Sequence, residues 1–497
     1  MAFLIGNEIP TFSKKDSGRR NEKEFMAQID EIMDRAEAAA RKFKMLDQRE
    51  TDRIVRAVYL AALQSRVKLA KMAFEETGMG LWQHKVLKNV IATQLVYEDI
   101  KDQRTVGVIS EDPRNGMIEM AQPLGPILGL IPVTNPTSTA IFKMLIALKT
   151  RNPLIISPPQ AAKYCVCAAA QIGYDAALSA GAPSDCIQWL SVLSEPSLQE
   201  LMSHRKLALV LATGTNSVVR KAYTSGTPAI GVGPGNVPVY IGATADIAYA
   251  VRSIMASKTF DNGTVCASEQ SVVVKKVIAP VVQAEFEKQG AYFLSPEEIE
   301  KVGKIAYNPE RRMMTATIVG QSVERIASSA GIQVPPETKL LIARLEGVGP
   351  EYPLSAEILA PILAFYVEED FDAAICRCTE ITHFGGLGHT AVIYSNTDER
   401  IQYFANAIDA SRILVNIPST FGALGGMENR LSPSFTLGCG SSANNNTTDN
   451  ITVTHLLNVR RITRRRPNAR WIHFDKNHYL DEAISAEEIE KEFNLNY

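Results

Sequence analysis

The most restrictive feature of this chain is the alternation, from residue 123 onward, of short apolar runs with longer segments of helical periodicity. One series of strand-like runs lies at 127–131, 153–157, 187–192 and 208–211, and a second at 237–241, 271–274, 362–367 and 390–394. Short buried strands separated by helices of this length are typical of parallel, doubly wound sheets. We therefore predict an α/β fold in which each series builds one sheet.

The first hundred residues carry a different pattern, with apolar positions at helical spacing over 22–44 and 48–78. We predict that this part is mainly helical. Residues 105–120 then alternate apolar and polar positions around a turn at 112–116. This alternation predicts a β-hairpin.

Length and composition are those of a large globular protein. At 497 residues the chain exceeds the size at which one core keeps growing, so about two or three domains are expected. The net charge of −2 predicts no general affinity for nucleic acid or membranes. No apolar run approaches the roughly 18 residues that span a bilayer, and residues 1–7 are too short for a signal-peptide core. We therefore expect a cytoplasmic protein.

Cys266 is the candidate nucleophile. Residues 260–270 read FDNGTVCASEQ and form a small-residue turn between two apolar runs. A thiolate on such a polar, glycine-containing loop is accessible to substrate and strongly nucleophilic. The alternative is a small buried hydrophobic residue, which is what most cysteines in a reducing compartment are.

Five other segments carry a specific resemblance. They are IPVTNPTST at 131–139, GVGPGN at 231–236, EILAP at 357–361, GGLGHT at 385–390 and SPSFTLGCGS at 432–441. With the cysteine loop they resemble, in the right order, the coenzyme A-acylating branch of the aldehyde dehydrogenase superfamily. The resemblance covers about residues 25–475 and is nearest in pattern to the N-terminal half of bifunctional aldehyde/alcohol dehydrogenases, with no match here to their iron-dependent half.

The resemblance implies an aldehyde dehydrogenase-like α/β fold with three parts. A Rossmann-like dinucleotide-binding domain would comprise 1–106 and 127–236, with part of 428–450 returning to it. The catalytic domain would be 237–427. A β oligomerisation arm would comprise 107–126 and 451–475, followed by a C-terminal tail at 476–497.

The nucleotide site is predicted from one turn and from the resemblance. Thr213, Gly214 and Thr215 follow a strand and precede a helix, so their backbone amides can face a pyrophosphate. The resemblance adds Thr134, Ser157, Gly233, Gly235 and Glu357, the last as the acceptor for the nicotinamide-side ribose hydroxyls. Residues 157–161, SPPQA, contain neither an acid for the adenosine ribose nor a base for a 2′-phosphate, which favours NAD slightly over NADP.

The resemblance also implies the chemistry. Cys266 would attack an aldehyde carbonyl, and the oxyanion would accept hydrogen bonds from the Asn135 side chain and the Cys266 backbone N–H. Hydride transfer to NAD or NADP would leave a thioester on Cys266. Residues 230–237 contain no carboxylate, although hydrolytic relatives carry a water-activating glutamate there, so coenzyme A is the expected acyl acceptor. His389 would orient or deprotonate this thiol, and the alternative for His389 is a structural histidine.

Substrate identity stays open. Glu428 and Ser442 replace the tyrosine and tryptophan of acetaldehyde-type relatives, which predicts a smaller and more polar pocket. Acetaldehyde, propanal, succinate semialdehyde and sulfoacetaldehyde are the candidates. Arg430 is a possible cation for an anionic aldehyde, with a solvated surface arginine as the alternative.

Two other functions compete with acylation. A hydrolytic aldehyde dehydrogenase would give a carboxylic acid and would need a base such as Glu269 or Glu357. An inactive assembly or nucleic-acid-binding protein is disfavoured, because Asn135, Cys266 and Glu357 occur together.

The remaining expectations concern partners and metals. The resemblance implies a homodimer or larger homo-oligomer that pairs through the segment containing six arginines at 460–470. The acidic tail at 481–494 is either a dimer cap or a docking peptide for a protein shell, so a bacterial microcompartment is an alternative location. We predict no metal site, because the cysteine pairs at 165/167 and 376/378 lack metal-knuckle spacing.

Overall fold

The computed structural model describes residues 20–190, 194–466, 472 and 475–495, with the side chains of residues 20–27 excepted. The end of the predicted strand 187–192 and Arg470 of the basic run lie outside the described residues.

The helices are α1 (Arg20–Phe43), α2 (Gln48–Gln64), α3 (Arg66–Thr77), α4 (Trp82–Val90), α5 (Val96–Ile100), α6 (Pro136–Lys149), α7 (Lys163–Ser179), α8 (Glu195–Met202), α9 (Asn216–Tyr223), α10 (Ile247–Thr259), α11 (Ala279–Lys288), α12 (Pro296–Ala306), α13 (Val323–Ala330), α14 (Phe371–Gly385), α15 (Asp398–Ala407), α16 (Ser419–Leu424) and α17 (Ala486–Leu495).

The strands are β1 (Gly107–Asp112), β2 (Met117–Pro123), β3 (Ile127–Leu130), β4 (Leu154–Ser157), β5 (Ile187–Trp189), β6 (Leu209–Thr213), β7 (Ala229–Val232), β8 (Val237–Ile241), β9 (Glu269–Lys275), β10 (Ala291–Phe293), β11 (Tyr307–Asn308), β12 (Met313–Met314), β13 (Leu340–Arg344), β14 (Ile362–Glu368), β15 (Gly388–Tyr394), β16 (Ala410–Val415) and β17 (Leu457–Thr463).

The first parallel sheet has the order β5-β4-β3-β6-β7. Its strands are buried on both faces, with Ile127 and Leu211 in one core cluster and Leu128 and Val210 in another. Successive strand residues point to opposite faces, so continuous apolar runs are what a two-sided sheet requires. The strand order reverses between β3 and β6, which opens a crevice at their carboxyl ends.

The second parallel sheet has seven strands in the order β10-β13-β14-β9-β8-β15-β16. Here too the core is two-sided, because Tyr240 and Val273 belong to one buried cluster and Val239 and Val272 to the other. The two doubly wound sheets confirm the predicted α/β fold class.

Two compact units divide the chain. Both parallel sheets belong to the unit Met1–Gln103 plus Pro123–Leu457, and the second unit is Arg104–Gln122 plus Asn458–Tyr497. In the second unit β1 and β2 form the predicted antiparallel hairpin, and β17 pairs with β2 to complete a three-stranded sheet in the order β1-β2-β17. An ion pair of 3.0 Å joins Arg461 Nε on β17 to Glu119 Oε1 on β2.

Among the described residues, no helix combines the length and apolar character needed to cross a membrane.

Candidate active site

The predicted catalytic residues of the second sheet lie at the amino ends of its strands. Gly235 precedes β8, Cys266 precedes β9, Glu357 precedes β14, and His389 is the second residue of β15. These four strands are neighbours in a parallel sheet, so their amino ends meet along one edge. Most α/β proteins bind ligands at the carboxyl ends, and this edge is therefore an unusual place for a site.

The first sheet contributes through its carboxyl ends instead. Asn135 follows β3 and is the residue before α6, while Ser157 ends β4. The turn that contains Gly214 and Thr215 connects β6 to α9. The predicted nucleotide-binding turn thus lies beside the strand-order reversal of this sheet.

Gly235 brings the residues of the second sheet into contact. A Cβ atom on Gly235 would lie 2.3 Å from the backbone oxygen of Cys266 and 3.1 Å from Cγ of His389. The backbone N–H of Gly235 donates a hydrogen bond of 3.0 Å to Oε1 of Glu357. Four predicted residues from separate segments therefore form one cluster, and only glycine fits at its centre.

Cys266 is a partly exposed residue with a free thiol. Burial of its sulfur raises the pKa of the thiol to about 12, with Glu357 and Cys439 adding to the rise and Arg412 opposing it. Burial likewise raises the pKa of Glu357 to about 7, against the hydrogen bond from Gly235 and the charge of Lys258. Both shifts oppose the formation of a charge in this cluster.

His389 is buried within β15, as its second residue. Its Nδ1 shares a hydrogen bond of 3.0 Å with the Thr390 hydroxyl, and its backbone oxygen accepts one of 2.8 Å from Arg412. Burial, then the charge of Arg412, lowers the pKa of His389 to about 3. The imidazole is therefore neutral, and Nε2 has no hydrogen-bond partner among the described residues.

Asn135 is held by a buried cluster of charges that the sequence analysis missed. Nζ of Lys88 lies 2.6 Å from Asn135 Oδ1, 2.5 Å from Asp261 Oδ2 and 2.8 Å from Thr264 Oγ1. Nζ of Lys85 lies 2.9 Å from the same carboxylate oxygen. A sequence signal existed, since Lys85 and Lys88 are three residues apart and so share one face of α4.

The charges of this cluster depend on one another. Burial lowers the pKa of Lys88 to about 8, although Asp261 counteracts this effect. Burial also acts to raise the pKa of Asp261, yet the two lysines hold it below its ordinary value. Asp261 adopts a left-handed backbone conformation with a φ of 51°. Such strain is common where a side chain must be held for function.

Comparison with known proteins identifies the chain's relatives. Residues 21–428 match the model of the aldehyde dehydrogenase family. The chain belongs to the aldehyde dehydrogenase family. It is 43% identical over 473 residues to the bifunctional aldehyde-alcohol dehydrogenase AdhE of Escherichia coli, which covers 93% of this chain and 53% of that protein. The chain thus spans about half the length of this relative.

Two further relatives match over nearly their whole length. The crystal structure of an acetylating aldehyde dehydrogenase from Geobacillus thermoglucosidasius superposes with a TM-score of 0.87 at 44% identity, covering 90% of this chain and 100% of that one. The succinate-semialdehyde dehydrogenase (acetylating) of Clostridium kluyveri is 34% identical over 435 residues, covering 87% of this chain and 95% of that protein.

On the nucleotide side, this aldehyde dehydrogenase fold leaves a helix N-terminus without a side-chain cap. Thr215 is the N-cap of α9 and makes no side-chain capping bond. A Cβ atom on Gly214 would meet nothing closer than 3.7 Å, the distance to Cγ1 of Val218. Uncapped amides next to open space fit a pyrophosphate.

Glu269 does not supply the base that a hydrolytic aldehyde dehydrogenase would need. It is fully buried, and its two carboxylate oxygens accept hydrogen bonds of 2.6 Å from the Ser257 hydroxyl and 2.7 Å from the backbone N–H of Ser419. Burial raises the pKa of Glu269 to about 7. Both oxygens are engaged inside the protein, away from a water nucleophile.

The predicted pocket residues differ from the residues of this cluster in their exposure. Glu428, Arg430 and Ser442 are exposed on the segments that follow α16. Within the described ranges, no three His, Cys, Asp or Glu side chains are grouped to hold a metal ion.

Proposed function

We propose that this chain is a coenzyme A-acylating aldehyde dehydrogenase, which reversibly converts an aldehyde, coenzyme A and NAD(P)+ to acyl-CoA and NAD(P)H. The observation that carries the proposal is that residues 230–237 contain no carboxylate, at the place where hydrolytic relatives carry a water-activating glutamate. Glu357 accepts from the Gly235 amide and Glu269 is buried and engaged. A thiol needs less activation than water, because it is far more acidic and more nucleophilic.

In the proposed reaction the Cys266 sulfur attacks the carbonyl carbon. The developing oxyanion accepts hydrogen bonds from the Asn135 side-chain amide and the Cys266 backbone N–H. Once hydride has left the carbon, the acyl group remains on Cys266 as a thioester. The coenzyme A thiol then attacks this thioester, the bond between the acyl carbon and the Cys266 sulfur breaks, and the proton of coenzyme A passes to that sulfur to restore the Cys266 thiol.

His389 is proposed to orient the incoming thiol. Its pKa of about 3 makes His389 a weak base. A hydrogen bond between Nε2 and the incoming thiol is therefore better supported than removal of the thiol proton by His389. Its position beside Gly235, which also contacts Cys266, supports this role.

NAD or NADP is the proposed cofactor, and its nicotinamide supplies the hydride acceptor when it is bound. Thr213, Gly214 and Thr215 at the start of α9 would hold the pyrophosphate. The other proposed contacts are Thr134, Ser157, Gly233, Gly235 and Glu357. The absence of charged residues in 157–161 favours NAD.

The substrate is proposed to be a short aldehyde, with acetaldehyde, propanal, succinate semialdehyde and sulfoacetaldehyde as candidates. The two relatives that match over nearly their whole length are both named as acetylating, which supports coenzyme A as the acyl acceptor. One of them is named for succinate semialdehyde, which supports a polar substrate. Glu428, Arg430 and Ser442 remain the proposed pocket residues, and their exposure leaves them free to change position.

The experiment is NAD and NADP reduction by the purified protein with each of the four aldehydes, with and without coenzyme A. We expect turnover that requires coenzyme A and yields a thioester, and a Cys266→Ala variant should lose it. Equal turnover without coenzyme A, with release of a carboxylic acid, would show a hydrolytic enzyme instead. No reduction with any aldehyde would support the inactive assembly protein.

A further inference from the structure

Lys88 is a buried lysine whose ammonium uses all its hydrogen bonds inside the protein. Its three acceptors are Asn135 Oδ1, Asp261 Oδ2 and Thr264 Oγ1, at 2.6, 2.5 and 2.8 Å. An ammonium group has three N–H donors and no acceptor, so these bonds saturate it. Lys88 therefore connects the residue before α6 to the loop that carries the cysteine.

This arrangement determines which way the Asn135 amide points. Were the amide reversed, its NH2 group would face an N–H donor of the ammonium, so that two donors would meet with no acceptor between them. The oxygen must therefore face Lys88 and Nδ2 must face away from it. One Nδ2 hydrogen bonds to Thr134 Oγ1 at 3.1 Å, and the other stays available to a substrate oxygen.

We infer that Lys88 is a positioning residue that holds Asn135 with its amide N–H directed toward the oxyanion formed at Cys266. The inference rests on the proposed attack of Cys266 on an aldehyde. The ammonium also polarises the carboxamide, which makes the opposite N–H a better donor.

Because of the charges in this cluster, we expect that the role of Lys88 can be tested by a substitution that leaves the protein folded. Two lysines share the single carboxylate of Asp261. A Lys88→Met change keeps an unbranched side chain that is one atom shorter, and it leaves Lys85 and Asp261 as a balanced pair at 2.9 Å. Removing the other partner, Asp261, would instead leave two buried cations unpaired.

The experiment is a double-mutant cycle of Lys88→Met and Asn135→Ala in the full chain. Each single variant should lower kcat by about 100-fold with little change in the KM for the aldehyde, since one oxyanion donor contributes about that much. The double variant should be no slower than Asn135→Ala alone, because Lys88 acts through Asn135. Lys149→Met is the matched control, since Lys149 is also buried and bonds Asp52 at 2.6 Å.

The outcomes separate the two proposals. Wild-type-like kcat in Lys88→Met, or losses that multiply in the double variant, would overturn the positioning role. Wild-type turnover without coenzyme A would overturn only the acylating function, because hydrolysis uses the same oxyanion. If Lys88→Met does not fold, Lys88→Gln replaces it. The amide N–H of the substituted side chain should keep kcat above that of Asn135→Ala. A kcat no higher than that of Asn135→Ala would overturn the inference.

Discussion

At the scale of single residues, the ionisation of Cys266 and the ionisation of Glu357 oppose each other. Cys266 and Glu357 both have raised pKa values, and the charge of Glu357 contributes to the rise for Cys266. A charge on one disfavours a charge on the other. The Cys266 thiolate therefore forms less readily when Glu357 is ionised than when Glu357 is protonated.

This coupling predicts that Glu357→Gln makes Cys266 more reactive in the cofactor-free protein. Near pH 9, where Glu357 is ionised, removing its charge lowers the pKa of Cys266 from about 12 and raises the thiolate fraction. We expect several-fold faster alkylation of Cys266 by iodoacetamide, followed by peptide mass spectrometry. Cys376 is exposed and serves as the internal reference. An unchanged ratio of the two rates would refute the coupling.

His389 predicts a pH dependence of stability. Its pKa is about 3 in the folded protein against 6.5 for an ordinary histidine, so below pH 6.5 the unfolded chain binds a proton that the folded one does not. The folded state therefore loses stability from His389 as pH falls from about 6.5 toward 3. His389→Gln should show a shallower decline of the urea midpoint over this window. Parallel declines in the two proteins would contradict the depressed pKa.

At the scale of elements, the site depends on turns that allow close approach between segments. The turn before β8 packs so tightly that any side chain on Gly235 would collide with the Cys266 backbone. The turn before α9 is open by comparison. Both turns contain glycine and adjoin a strand. They differ in their surroundings, because the turn before β8 is tightly packed and the turn before α9 is open.

Alanine substitutions should distinguish these turns. Gly235→Ala places a Cβ 2.3 Å from the Cys266 oxygen, so we expect a lower thermal midpoint and loss of kcat. Gly214→Ala has 3.7 Å of clearance and should keep the midpoint, while raising the KM for NAD if a pyrophosphate lies there. The measurements are thermal unfolding and steady-state kinetics on both variants. Similar midpoints would show that the turn before β8 is able to relax.

At the scale of the whole molecule, β17 is an edge strand among the described strands. It bonds to β2 on one side, and no described strand pairs with the other. Val459 and Ile462 are exposed on it, by 38% and 46%. An exposed edge with apolar side chains favours pairing with another chain, and a second copy is the proposed partner.

A Val459→Lys/Ile462→Lys variant should therefore weaken self-association. Light scattering after size-exclusion chromatography should give a smaller mass for it than for the wild type. The control is Val281→Lys, at an exposed valine on α11, which should keep the wild-type mass. An unchanged mass in the β17 variant would exclude this edge as the contact.

Local pattern was sufficient for the α/β fold class, although the two predicted series omitted β7, β10, β13 and β16. Apolar runs of strand length between helices predicted the two parallel sheets, because strand and helix periodicity depend on neighbouring residues. The motif around Cys266 and the segments of Asn135 and Glu357 carried the family resemblance that the comparisons confirm.

The environment of those residues depended on tertiary structure. Lys88 and Asp261 are 173 positions apart and meet only because strand order brings α4 against the cysteine loop. The pKa of His389 likewise depends on tertiary structure, because it is lowered by burial and then by the charge of Arg412, which is 23 positions away in the chain. Such contacts cannot be predicted from neighbouring residues, because they depend on which strands are adjacent in the sheet. Strand order in turn depends on the packing of the whole core.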